Sequence, residues 1–466
     1  MTNKNQEVFV AAIENSRGNW GSKFGFILAA AGSAIGLGNI WRFPYVAGEN
    51  GGAAFVFIYI LFVVLIGLPV MIAELSIGRK TEKNPVGAFK TLFPPSLWKL
   101  VGGLGVLTGI GILSFYGVIA GYTFGYFIKI ITGGLSNVVT ASQSEEIFKS
   151  FTADPFMSIG LLFFFVWLTV MVVMGGVSSG IERWSKILMP VLFVLLILLA
   201  VRSVTLEGSG AGLSFYLKPD FSKISFTTFA RALGQALFSL SLGMGTMITY
   251  GSYIAKKDNL VTSAAFVAFF DTLIAILAGL VMFPALFAMG MDPAGGAGLV
   301  FVVLPSIFAK IPGGMIFGAG IFLLLSVAAL TSTISLLEVP VAYFVDEHKW
   351  SRRKAVISMG IITFIIGIPS ALSFGANSFL STIIAENFGF LDMMNAVFGN
   401  YSLSIGAFFI AIFAGYKWGV KAVADELEKE GNVFFYKKAW AFLIRFICPL
   451  AIFFILSYIA WTGNYF

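Results

Sequence analysis

Apolar residues fill this chain in blocks of about 20, the length that crosses a bilayer core as a helix. Eleven blocks can be marked, at 23–48, 53–78, 100–132, 156–176, 186–204, 229–254, 262–290, 314–345, 355–373, 387–415 and 439–463. Two of them carry an internal flaw. The first contains Gly32 to Tyr45, GSAIGLGNIWRFPY, which sets three glycines, Asn39 and Arg42 inside a greasy run. Each glycine weakens a helix interior by about 1 kcal/mol relative to alanine. An arginine at mid-membrane costs at least about 2.5 kcal/mol. The sixth block repeats the flaw at Ser239 to Gly245, SLSLGMG. Glycines also let membrane helices pack closely. Flaws at corresponding positions, five blocks apart, favour broken helices instead. Unwound backbone at membrane depth is tolerated only around a cavity, where its carbonyls and amides make a site.

The pattern predicts an all-α polytopic membrane protein with 11 transmembrane helices, the first and sixth broken. Residues 23–204 and 229–415 form two five-helix repeats, inverted because five crossings turn the second upside down. An eleventh span at 439–463 lies outside the repeats, and residues 1–22 form a polar tail. Composition agrees: of 466 residues, 58% are hydrophobic and 11% charged, against about 25% charged in soluble proteins.

The net charge of +7 does not imply a nucleic-acid partner. In a membrane protein Lys and Arg mark the cytoplasmic side. With the N-terminus inside, 22 basic residues fall inside and 7 outside, Arg42 being intramembrane. This predicts a cytoplasmic N-terminus and an external C-terminus. The tail lacks a signal-peptide pattern, and the short loops suit a bacterial inner (plasma) membrane. Cys448 is the single cysteine, in an apolar run, so no intrachain disulfide forms. The only histidine, His348, sits in a charged loop without a nucleophile constellation, and no enzyme is expected.

Three stretches carry a specific likeness: GSAIGLGNIWRFPYVAGENGGAAF from Gly32, GQALFSLSLGMGTMITYGSY from Gly234 to Tyr253, and LTSTIS from Leu330 to Ser335. They resemble the first, sixth and eighth helices of the neurotransmitter:sodium symporter family. The resemblance extends from about Arg17 to the end of the last span. It implies the LeuT-type fold of the bacterial leucine transporter. It also implies an eleven-helix bacterial symporter that imports hydrophobic L-amino acids with sodium by alternating access. A monomer or loose dimer in the lipid bilayer is expected. A non-transporting amino-acid sensor on the same fold is the alternative, though sensors ordinarily add an output domain and these loops are too short for one.

Sodium is a hard cation that takes oxygen ligands. The resemblance implies a first ion held by the Ala34 carbonyl, Asn39, Ser239, Asp271 and the substrate carboxylate. A second would sit among the carbonyls of Gly32, Ile35 and Ala328 and the hydroxyls of Thr331 and Ser332. Asp271 is an intramembrane carboxylate with no basic neighbour in sequence, which marks it as functional. Many relatives place Asn there and depend on chloride, with a Ser four residues later; here that position is Ala275. Chloride-independent transport is therefore expected. Asp271 has two other readings: a neutral acid bonded to a neighbour, or a group that takes a proton when sodium leaves.

The substrate carboxylate should meet the Leu37 and Gly38 amides and the Tyr116 hydroxyl, since amides after a break attract anions. The α-amino group should meet the Ala34, Phe238 and Ser239 carbonyls and the Ser241 hydroxyl. Monoamine transporters of the family carry Asp where Gly36 stands. Ile112, Tyr116, Phe238, Met244, Ser332 and Leu336 should line the side-chain pocket, which suits aromatic and large aliphatic residues. The outer gate should pair Arg42 with Asn395, where relatives have Asp, with Asp392 close by. Tyr116 and Phe238 should form a lid. The inner gate should use Arg17, Trp20, Tyr253 and Asp346, and Glu74 should support the sixth-helix break.

Overall fold

The computed structural model describes residues 18–135, 140–291, 300–302, 304–305, 313–383 and 388–463. Arg17 and most of the predicted tail lie outside the described residues. The first span is two helices, α1 (Lys23–Ala34) and α2 (Gly38–Glu49), bent by 51°. There follow α3 (Ala53–Thr81), α4 (Pro85–Leu92), α5 (Lys99–Ile131), α6 (Ala141–Ala153), α7 (Pro155–Met174), α8 (Val177–Val204) and α9 (Gly210–Leu217). The sixth span comprises α10 (Phe226–Ser239) and α11 (Thr246–Gly251), joined by six non-helical residues. Then come α12 (Leu260–Ala288), α13 (Gly314–His348), α14 (Arg352–Leu372), α15 (Phe390–Lys417), α16 (Val420–Leu427) and α17 (Lys437–Thr462).

Among the described residues, nine helices are long and apolar enough to cross a membrane, or ten if α1 and α2 count as one span. Neither half of the sixth span meets that length by itself, so the predicted count of eleven is not reached on this measure. The helices end on polar caps. Ser22 Oγ accepts from the Gly25 amide, Asn84 Oδ1 from Val86 and Gly87, and Ser351 from Lys354. These bonds satisfy amides that the first turn leaves free. Outward-facing Phe57, Phe163, Leu198, Phe269, Ile365 and Leu450 are exposed, as lipid-facing positions must be.

The fifth span begins at Val177 rather than 186. Glu182 lies within this first stretch and is buried. Its carboxylate accepts from the Gly21 amide at 2.6 Å and the Ser22 hydroxyl at 2.9 Å, and from Lys186 at 2.6 Å. The long helices α5 and α13 pack along each other and both line the central cavity. Cys448 is buried, its thiol 3.7 Å from the Leu65 carbonyl.

Candidate functional site

Between Ala34 and Gly38 the chain leaves its helical ladder, and the freed backbone groups find partners on other helices. The Ser33 carbonyl accepts from Ser241 Oγ at 2.9 Å, and the Ile35 carbonyl from Thr331 Oγ1 at 3.2 Å. Gln235 Nε2 donates to the Gly38 carbonyl at 2.7 Å. The Leu37 amide donates to the Tyr116 hydroxyl at 2.8 Å. Gly36 is sterically required: a Cβ there would collide with Ser332 Oγ and the Tyr116 hydroxyl. An Asp at this position, as in the monoamine pattern, would not fit this packing.

The second break turns on positive φ angles at Ser241, Gly243 and Gly245. Gly243 also lies against the Leu403 carbonyl of α15, leaving no room for a side chain. Its amide donates to Glu74 Oε1 at 2.7 Å. Glu74 thus anchors the sixth-span break from α3, fully buried; its other oxygen has no hydrogen-bond partner among the described residues.

The two breaks enclose a small central cavity of about 20 Å3. Ala34, Gly38, Ile112, Tyr116, Phe238, Ser239, Ser241, Met244, Ser332 and Leu336 line it, together with Ser33 and Gly36, which sequence reasoning did not name. One end is polar, with hydroxyls from Ser33, Ser241 and Ser332. Ile112, Phe238, Met244 and Leu336 make the other end apolar. Leu37 lies on the neighbouring vestibule instead, with Arg42 and Asn395.

Beside the cavity, oxygen atoms crowd around Asp271, which is fully buried. Its carboxylate accepts from Asn39 Nδ2 at 2.7 Å, from Ser239 Oγ at 2.8 Å and from the Tyr59 hydroxyl at 3.0 Å. Tyr59 was not anticipated: a tyrosine in an apolar span gives no sign of where its hydroxyl ends. Asn39 Oδ1 accepts from the Gly36 amide at 3.1 Å, which leaves that oxygen a second lone pair. A second oxygen group forms where α13 passes the first break. Thr331 Oγ1 lies 2.8 Å from the Ala328 carbonyl, and Ser332 Oγ 3.4 Å from the Ile35 carbonyl. Gly32 packs here, its absent Cβ 3.4 Å from Thr331. Both groups are oxygen-rich, the donor chemistry that suits a hard monovalent cation.

At the outer end the expected partner changes. Arg42 Nη2 donates to Asn400 Oδ1 at 3.4 Å, not to Asn395, and its guanidinium lies 4.6 Å from the Phe238 ring centroid. The reason is helical pitch. Residues 395–402 wind in π-type turns, so positions five apart share a face, and Asn400 Nδ2 bonds the Asn395 carbonyl at 3.2 Å. Asp392 takes no part; it accepts from the Gly389 amide at 2.9 Å and caps α15.

At the other end, Trp20 Nε1 donates to the Tyr250 carbonyl at 3.0 Å, and its ring meets Tyr250 and Tyr253 edge-on. The Tyr253 hydroxyl donates to Glu338 at 2.8 Å, and Arg352 Nη2 pairs with Glu338 at 2.6 Å. Arg352 also reaches the Val173 carbonyl at 2.8 Å. Asp346 accepts from the Asn84 amide and side chain. Arg17, its expected partner, lies outside the described residues. Glu338 was legible but passed over, being a carboxylate within an apolar span.

The Sodium:neurotransmitter symporter family profile matches residues 17–149 and 143–464. An uncharacterized sodium-dependent transporter of Bacillus subtilis, YhdH, is 41% identical over 93% of this chain and 95% of its own length. An uncharacterized sodium-dependent transporter of Haemophilus influenzae is 36% identical over 94% and 96%. The crystal structure of MhsT in complex with L-phenylalanine superposes with a TM-score of 0.87, at 46% identity, covering 95% of this chain and 99% of that one.

Proposed function

The chain belongs to the sodium:neurotransmitter symporter family, and from that premise we propose that it imports hydrophobic L-amino acids with sodium by alternating access. The observation that carries this is the cavity. Its polar end offers backbone and hydroxyl groups for a zwitterion, and its lining holds no charged side chain. A charged side chain left unpaired there would cost more than the ~2–7 kcal/mol of an unpaired neutral polar group, so aromatic and large aliphatic substrates are favoured. The L-phenylalanine in the MhsT structure supports the same class. Met244 is unbranched and yields to different shapes.

Two sodium ions fit the oxygen groups. Ala34, Asn39, Ser239 and Asp271 would hold the first beside the substrate carboxylate. Gly32, Ile35, Ala328, Thr331 and Ser332 would hold the second. Asp271 supplies a fixed negative charge, and Ala275 offers no anion ligand, so transport proceeds without chloride. The positive-inside count supports a cytoplasmic N-terminus. The inverted repeats at 23–204 and 229–415 supply one broken helix each.

Uptake of radiolabelled L-tryptophan into proteoliposomes tests the reading. Accumulation should require an inward sodium gradient and persist when gluconate replaces chloride. Phenylalanine, leucine and tyrosine should compete, and lysine and glutamate should not. Sodium-dependent binding without accumulation would overturn symport. An obligatory chloride requirement would overturn the charge argument at Asp271.

A further inference from the structure

On the lipid-facing surface, between the start of α5 and the end of α15, lies a groove of about 620 Å3 that the transport site does not use. Phe93, Leu97, Trp98, Leu100, Leu104 and Phe409 form much of its wall. Leu97 is 78% exposed and Leu100 61%, so this apolar trough has no protein cover. Lys417 is the one charged lining residue; its Nζ lies 4.0 Å from the Phe93 ring centroid. On the adjoining α17, Arg445 Nε donates to the Gly415 carbonyl at 2.9 Å, and its guanidinium turns over the Tyr416 ring. Arg445 thus stands beside Tyr416, the residue before Lys417, and among the described residues no carboxylate lines the trough.

The groove also sits at a defined depth. Span α5 begins at Lys99 and span α15 ends at Lys417, so the trough straddles the border between hydrocarbon and headgroups. An aromatic and a cation at that border, above an apolar channel, match an anionic phospholipid: phosphate at Lys417, acyl chain along Leu97, Leu100 and Leu104.

Occupancy there bears on the inner gate. Phe89 of α4 meets Phe413 of α15 edge-on and Trp98 meets it at a tilt, with centroids 4.8 and 5.1 Å apart. The same α4 begins at Asn84, which donates to Asp346. The geometry points to an anionic-phospholipid site between α5 and α15 whose occupant holds α4 against α15 and so favours closure at the Asp346 end.

Purified full-length protein is passed through nanodiscs of equal phosphatidylglycerol and phosphatidylcholine, and retained lipid is counted by native mass spectrometry. Wild type should keep phosphatidylglycerol about fivefold over phosphatidylcholine, the ratio expected of one near-surface cation. Lys417→Arg, the folded control, should keep that preference, and Lys417→Gln should lose it. Leu100→Trp, which fills the trough, should lose both lipids. Equal retention by wild type, or an unchanged preference in Lys417→Gln, would overturn the site. Displacement by free glycerol 3-phosphate alone would also overturn it, by assigning the cations to a soluble anion. Lipid retention is read without transport, so failure here leaves the proposed function standing.

Discussion

The two ends of the transport path are closed in different ways. On the proposed outer side, Arg42 meets a neutral amide at 3.4 Å, the Tyr45 hydroxyl and a phenyl ring, and its Nη1 has no hydrogen-bond partner among the described residues. Inside, Glu338 is shared by Arg352 at 2.6 Å and Tyr253 at 2.8 Å, while Trp20 is pinned to Tyr250. A neutral hydrogen bond nets about 1 kcal/mol, and a cation over a ring about 0.5–2 kcal/mol. Removing one member of a buried ion pair costs about 3–5 kcal/mol. The inner barrier is thus held by a charged pair, the outer one by looser contacts of Arg42 with neutral groups. A loose outer closure lets substrate and sodium arrive without first breaking an ion pair.

The largest effect should come from breaking the inner network at its hub. Glu338→Ala leaves Arg352 and the Tyr253 hydroxyl without their carboxylate, at about 3–5 kcal/mol. Uptake should fall at least about tenfold, and hydrogen exchange in α11 should rise, as expected when a closed state loses that much stability. Adding Arg352→Met should restore part of the closure, since replacing both members leaves no orphan charge. Unchanged uptake in Glu338→Ala would mean that the hub does not close the path.

Trp20→Ala comes next. It removes the bond to Tyr250 and two edge-on ring contacts but leaves the ion pair intact. The loss should be about 2 kcal/mol, with uptake reduced severalfold and the sodium dependence kept. If Trp20→Ala proved more damaging than Glu338→Ala, the aromatic plug and not the ion pair would be the main barrier.

The two ends also differ in how far they could be read from sequence. Both helix breaks were legible, because glycines, Asn39 and Arg42 contradict the apolar blocks around them. Asp271 and Glu74 were legible by the same rule, as carboxylates where hydrocarbon should be. Trp20 and Tyr253 stood in recognisable strings. Tyr59 was not legible, since its hydroxyl reaches Asp271 across 212 residues and nothing local marks it. Asn400 was missed for another reason. Asn395 was matched to the family's acidic position, and the π-type winding at 395–402 brings Asn400, five residues on, to Arg42 instead. Glu182 was not legible, since its partners, Gly21 and Ser22, lie 160 residues or more away.

Asn400→Asp should close the outer end by supplying the missing acid. An ion pair with Arg42, 5% exposed, would add about 1–2 kcal/mol to the closed form, and uptake should drop about threefold as opening slows. Asn395→Asp is the smallest perturbation and the sharpest discriminator. Asn395 lines the same vestibule as Arg42 but takes no hydrogen bond from it in this geometry. A carboxylate there, screened by vestibule water, should change uptake by less than about twofold. The reverse order would mean that α15 rewinds when the outer gate shuts, bringing Asn395 to Arg42 and carrying Asn400 off the path. Rates of external substrate release from the two variants, measured side by side in proteoliposomes, decide which amide faces Arg42 when the gate closes.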